Sequence, residues 1–103
     1  MFARTVRMQL KPESLSEFTQ LMEEEIIPLL RKQHGFTDEI AFVRPSGTEA
    51  VGITLWEEKE SADAYQRGVY PEVLKALASV VDGTPRVRSF EVSNSTYHKI
   101  GVR

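Results

Sequence analysis

The chain has 103 residues, of which 41% are hydrophobic and 27% charged, the profile of an ordinary soluble domain near the commonest domain size, with no room for a second core. Its 13 Lys and Arg against 15 Asp and Glu leave a net charge of −2, so no overall positive field draws nucleic acid or an anionic membrane. The lack of cysteine removes disulfides, thiolate metal sites and Cys nucleophiles together.

A single domain over residues 1–103 is therefore expected. The opening MFARTVRMQL alternates polar and apolar residues, unlike a signal peptide, and no later run is long enough to span a bilayer. A cytoplasmic location with no membrane partner is the expectation.

From Phe2 to Leu10 the residues Phe2, Val6, Met8 and Leu10 fall on one side and Ala3, Thr5, Arg7 and Gln9 on the other, the period of a strand. Pro12 suits a first helical turn, where its missing N–H costs nothing, and Leu15, Phe18, Met22, Ile26 and Leu29 follow at helical spacing. Glu23, Glu24 and Glu25 then face water. Pro28 predicts a kink or a restarted final turn, because its ring cannot donate and collides with the carbonyl four residues back. Gly35 fits the left-handed position that ends a helix, with Arg31 and Lys32 near the negative end of the helix dipole.

Two strands are expected next, Phe36 to Arg44 and Glu49 to Glu57, joined through Pro45-Ser46-Gly47-Thr48 as a hairpin. A helix follows over Lys59 to Arg67 with Ala62, Ala64 and Tyr65, ended or bent at Gly68. Pro71 starts another helical stretch, with Val73, Leu74, Leu77 and Ala78 inward. Asp82-Gly83 reads as a turn, and Thr84 to Ile100 contains a final strand, broken near Ser93-Asn94-Ser95.

The order βαββαβ folds most economically as an α+β, ferredoxin-like sandwich, with both helical segments on one face of a four-stranded antiparallel sheet. In the third strand Val51, Ile53 and Leu55 oppose Ala50, Gly52 and Trp56, so both parities are apolar or small and one of them needs cover from outside the chain. A homodimer, sheet facing sheet, supplies that cover.

Three segments, RMQLKPESLSEF, IIPLLRKQHGF and GITLWEEKESADAY, give the chain its resemblance to the antibiotic biosynthesis monooxygenase-like family of dimeric α/β barrels. Their order and spacing run through most of the chain. The resemblance implies the fold more firmly than the reaction. It implies an oxidoreductase that works without metal, flavin or other cofactor on an aromatic or quinol-like compound held between helices and sheet. The alternative is a non-catalytic dimer that binds a small hydrophobic metabolite.

Trp56 and Tyr65 are the substrate-binding candidates, one at a strand end and the other on the next helix, either able to wall a flat ring. A lone Trp in a small domain is also an ordinary core residue. Haem-degrading relatives carry an Asn on the first strand, a Trp on the second helix and a later His. Here those places fall on Thr5 or Val6, on Tyr65 and near Lys75, which argues against haem. No residue stands out as catalytic. His34 reads as a helix-end residue and His98 lies near the chain end. No metal-ligand spacing and no phosphate loop occur in the sequence. Arg4, Arg7, Arg86 and Arg88 lie on expected strands; one that pointed inward could hold an anionic substrate or pair across the dimer, with solvated edges as the simpler place.

Overall fold

The computed structural model describes residues 1–100. Strand β1 (Phe2–Leu10) leads into α1 (Leu15–Leu21), a π-helical turn (Met22–Ile26) and α2 (Ile27–Arg31). Strands β2 (Phe36–Val43) and β3 (Glu49–Trp56) form the hairpin, α3 (Lys59–Gly68) and α4 (Tyr70–Leu77) follow, and β4 (Val81–Glu91) closes the sheet. The strand order is β2-β3-β1-β4, antiparallel throughout. This is the ferredoxin-like βαββαβ arrangement, with each helical segment split in two.

Pro28 explains the first split. Its ring cannot follow the regular α-helical path, and the turn before it is widened so that the Ile27 N–H donates to the Met22 carbonyl, five residues back. The extra residue rotates the phase of the helix. Met22, Ile26 and then Leu30 face the sheet, Leu30 being 1% exposed, whereas Leu29, expected inward, is only partly buried. The second split falls just past Gly68, and Ala78, expected inward on the second piece, is exposed.

Gly35 takes φ 78°, and a Cβ on it would lie 2.3 Å from Ser61 Oγ, so only glycine lets the α2–β2 turn press against α3. Asp82-Gly83 is not a turn between elements. It belongs to β4, where the five residues from Asp82 to Arg86 span the same ladder as the three from Gln9 to Arg7, with Gly83 at φ 75°. The final strand ends at Glu91, and the chain beyond it crosses to the far edge, where His98 Nε2 bonds Asp38 Oδ2 on β2.

The core lies between the sheet and the helices, built on Phe2, Val6, Met8, Leu10, Phe18, Ile26, Trp56 and Leu77. On the opposite face Ile40 pairs with Ile53 and Phe42 with Val51 across β2 and β3. Ile40 is 52% and Phe42 56% exposed, so this chain leaves the second parity of the sheet uncovered. Among the described residues no helix is long and apolar enough to cross a membrane.

Candidate functional site

The even-numbered register of β1 that delivers Phe2, Val6, Met8 and Leu10 to the core also delivers Arg4, which is 2% exposed. This departs from the expected solvated place. Arg4 pairs with Thr54 on β3, and Thr54 pairs with Glu39 on β2, so one row across the helix-facing side reads Glu39, Thr54, Arg4. Adjacent strands sit about 4.8 Å apart, which puts the Cα atoms of Glu39 and Arg4 roughly 10 Å from each other. Beside Thr54 on β3 lies Gly52, which has no side chain to fill the space above it.

These residues form the floor of a cavity of about 40 Å³. Met22, Ile26 and Leu30 make one wall, and Tyr65, Tyr70, Val73 and Leu77 make the other. The volume holds about three water-sized groups. Three buried polar atoms of its lining, Arg4 Nη2, Glu39 Oε2 and the Tyr70 hydroxyl, have no hydrogen-bond partner among the described residues. Buried polar groups ordinarily find partners, so three orphans in one small space mark a place prepared for something polar.

The Arg4 guanidinium lies 4.3 Å from the Tyr70 ring centre and 5.2 Å from that of Tyr65, over the electron-rich faces of both. Its Nε donates to Gln66 Oε1 at 3.1 Å. Burial lowers the affinity of Arg4 for its proton, and the neighbouring phenols Tyr65 and Tyr70 offset this in part. Burial raises the Glu39 carboxyl above the usual range, and pushes the Tyr65 phenol up to about 12, with Arg4 pulling the other way. Burial raises Tyr70 too, with the Arg4 guanidinium beside it pulling the other way. At neutral pH both phenols are hydrogen-bond donors, not phenolates.

The structure places Tyr65 in the cavity wall, 4% exposed, with its ring centre 5.0 Å from that of Trp56 and 6.0 Å from that of Tyr70. Trp56 lies one layer behind. It is 0% exposed, meets Phe36 edge-on, and its Nε1 donates to Thr54 Oγ1 at 2.9 Å. It supports the wall and the floor without lining the cavity. Tyr65 also borders a second hollow of about 290 Å³ at the surface, shared with His34, Gln33, Glu58 and Ser61, so it belongs to both linings.

His34 is exposed at that outer hollow, and His98 is held on β2. Arg7, Arg86 and Arg88 lie on the opposite, open face with Thr5 and Phe90, around a depression of about 300 Å³. Arg4, Glu39, Tyr70 and Gly52 carry the polar and spatial character of the cavity; of these the sequence pointed only to Arg4, as one of four arginines that could hold an anion if turned inward. For Arg4 the signal was present: a cation interrupts an otherwise apolar parity. Glu39 was masked by a register shift between Phe36 and Asp38, which breaks simple alternation along β2.

A monooxygenase from the gene ActVA-Orf6 of Streptomyces coelicolor, solved with nanaomycin D, superposes with a TM-score of 0.75 at 20% identity, over 91% of this chain and 88% of that one. The chain has the fold of the antibiotic biosynthesis monooxygenases. SnoaB, a cofactor-independent oxygenase from Streptomyces nogalater, shares that monooxygenase fold at a TM-score of 0.74 and 14% identity, over 94% and 97% of the two chains. So does NE2512, a protein of unknown function from Nitrosomonas europaea, at 0.76 and 17%, over 99% and 95%. No protein-family model matches the sequence, and no curated protein does. At such identities the likeness is one of fold, and the chemistry has to be argued from the cavity.

Proposed function

We propose that this chain is a small monooxygenase, independent of metal and organic cofactor, that acts on an aromatic, quinol-like compound at the cavity between helices and sheet. The observation that carries this is the meeting, in one lining, of the neighbouring rings of Tyr65 and Tyr70, tilted 54° to each other, with three unpartnered polar atoms. Flat apolar walls favour a ring, and convergent polar atoms favour a hydroxyl or carbonyl at its edge. The monooxygenase structures that share the fold add support.

In such a reaction the substrate is the electron donor and O₂ the oxidant. One oxygen atom enters the ring, the other leaves as water, and the phenol becomes a quinone. The protein's part is to remove a proton, hold the resulting anion, and exclude bulk water. The inner cavity admits only the reacting edge of a ring, and the outer hollow beyond Tyr65 takes the rest of the molecule once that side chain turns aside. Met8 and Met22, flexible and unbranched, let the lining adjust.

The open face is best used as the contact with a second copy. Ile40, Phe42, Val51, Ile53 and Leu55 form its apolar part, and since Ile40 and Phe42 are only about half exposed and the others less, covering each adds a fraction of the roughly 1.5–3 kcal/mol of a full burial. Site and contact then lie on opposite faces of one sheet.

Oxygen uptake over a panel of dihydroxynaphthalenes and related phenols tests the proposal, with Tyr65→Phe and Trp56→Phe as controls. Uptake matched by quinone formation is the expected result. Saturable binding without uptake across the panel would leave the protein a non-catalytic dimer that binds a hydrophobic metabolite.

A further inference from the structure

Arg4 and Glu39 are an unusual pair to find in one small cavity. A buried cation and a half-buried carboxyl normally close on each other, because each alone pays for lost hydration. Here Thr54 stands between them in the same row, and no ion pair joins them among the described residues. Arg4 spends its Nε on Gln66 and keeps Nη2 free, while Glu39 keeps Oε2 free. The Tyr70 hydroxyl makes no hydrogen bond of full geometry either, and lies beside the Arg4 guanidinium that covers its ring. The vacant hydrogen bonds therefore consist of an acceptor on the β2 side and two donors on the β1 and α4 side.

We infer that Glu39 is the proton acceptor of this site, and that Arg4 with Tyr70 holds the anion so formed, so that the ligand is a ring bearing an acidic hydroxyl, a phenol or an enol. The O–H bond of the ligand breaks, its proton bonds to a Glu39 carboxylate oxygen, and the electron pair stays on the ligand oxygen facing Arg4 and Tyr70. The other candidate bases fail on place or state. His34 and His98 are outside the lining, and Tyr65 and Tyr70 hold their own protons tightly. Burial makes the Glu39 carboxylate a stronger base than one in water, which narrows the gap to a phenol. A cation over two ring faces, with one N–H left over, is a fixed donor that needs no reorganisation when the charge appears.

This rests on the cavity taking a phenolic ring, but not on oxygen chemistry, so the test uses binding alone. The probe is 4-nitrophenol, whose phenolate absorbs in the visible, added to the intact chain at a pH below the probe's own pKa. The wild type is expected to bind it with growth of the phenolate band and without releasing a proton to a weakly buffered indicator solution. Glu39→Gln should still bind but lose the band about tenfold or more, since the remaining amide takes no proton. Arg4→Gln should weaken binding about 10- to 100-fold, the value of a charge-assisted hydrogen bond, and Arg4→Lys should recover part of it. Far-ultraviolet circular dichroism checks that each variant is folded.

An undiminished phenolate band in Glu39→Gln, stoichiometric proton release from the wild type, or no saturable binding of the probe would overturn the assignment. A wild type that binds and deprotonates the probe, yet consumes no oxygen with any phenol, would sink the oxygenase proposal and leave these two residues in their roles.

Discussion

Arg4 and Glu39 flank Thr54 in a single row across the sheet, and the space between them is the polar heart of the cavity. Neither is needed to satisfy the other. In a folded chain that exists only to be stable, a buried arginine facing an unpaired carboxyl is a fault that apolar residues would mend. Faults of this kind are found where structure has been given up for chemistry.

The first prediction concerns Glu39 and pH. Its carboxyl is raised above the ordinary range by burial, so the folded state prefers it protonated. A group raised on folding gives stability that is present below its unfolded pKa and is lost as pH rises through its folded pKa. Glu39→Gln should therefore unfold at a higher temperature than the wild type at pH 7, with the difference shrinking toward pH 4. Thermal melts across that range are the measurement, and a variant less stable at pH 7 would contradict the burial argument.

Gly52 gives a way to close the cavity without harming the fold. A Cβ built there meets Met8 Cε at 3.9 Å and Glu39 Oε2 at 4.0 Å, ordinary contacts, and its φ is not positive. Gly52→Ala should raise stability by about 0.5–1 kcal/mol, since glycine weakens a strand interior. It should also weaken ligand binding, because the new methyl occupies the floor. Denaturant titration and 4-nitrophenol binding measure the two effects, which are expected to have opposite signs.

Trp56 is expected to matter for stability more than for the ligand. Trp56→Phe removes the indole N–H that serves Thr54 Oγ1 and leaves a gap behind Tyr65. A loss of about 1–3 kcal/mol follows from the missing hydrogen bond and the unfilled volume. A denaturant midpoint shift of that size with binding largely retained is the expected outcome, whereas normal stability with binding abolished would make Trp56 a direct contact.

On the open face, Ile53 lies at the centre of β3 between Thr5 and Ile40. Ile53→Asp should weaken self-association at least about 100-fold, because a symmetric contact must bury an unpaired carboxylate twice, about 1.5 kcal/mol or more each time. Light scattering at low micromolar concentration decides. Equal mass for variant and wild type would show that this face is not the contact.

Much of the fold was legible because period-2 and helical spacing are enforced by one buried face, as in β1 and in the run from Phe18 to Ile26. The departures have local causes. Leu30 replaced Leu29 inside because Pro28 forced a wide turn, and Gly83 gave a bulge within β4 instead of a turn. The site was less legible. Tyr65 could be singled out from its place on the helix after β3, but Glu39 sits just past a register shift, and Tyr70 gives no sign in the sequence of the guanidinium that covers it. Arg4 was visible as a break in an apolar pattern, and its meaning needed the third dimension.

The most direct test of the account is oxygen uptake by the wild type and by Gly52→Ala on the same dihydroxynaphthalene. The account predicts uptake with one quinone formed per O₂ in the wild type, and its loss in a variant that is folded and slightly more stable. Equal uptake by both proteins would show that the cavity between helices and sheet is not where the reaction occurs.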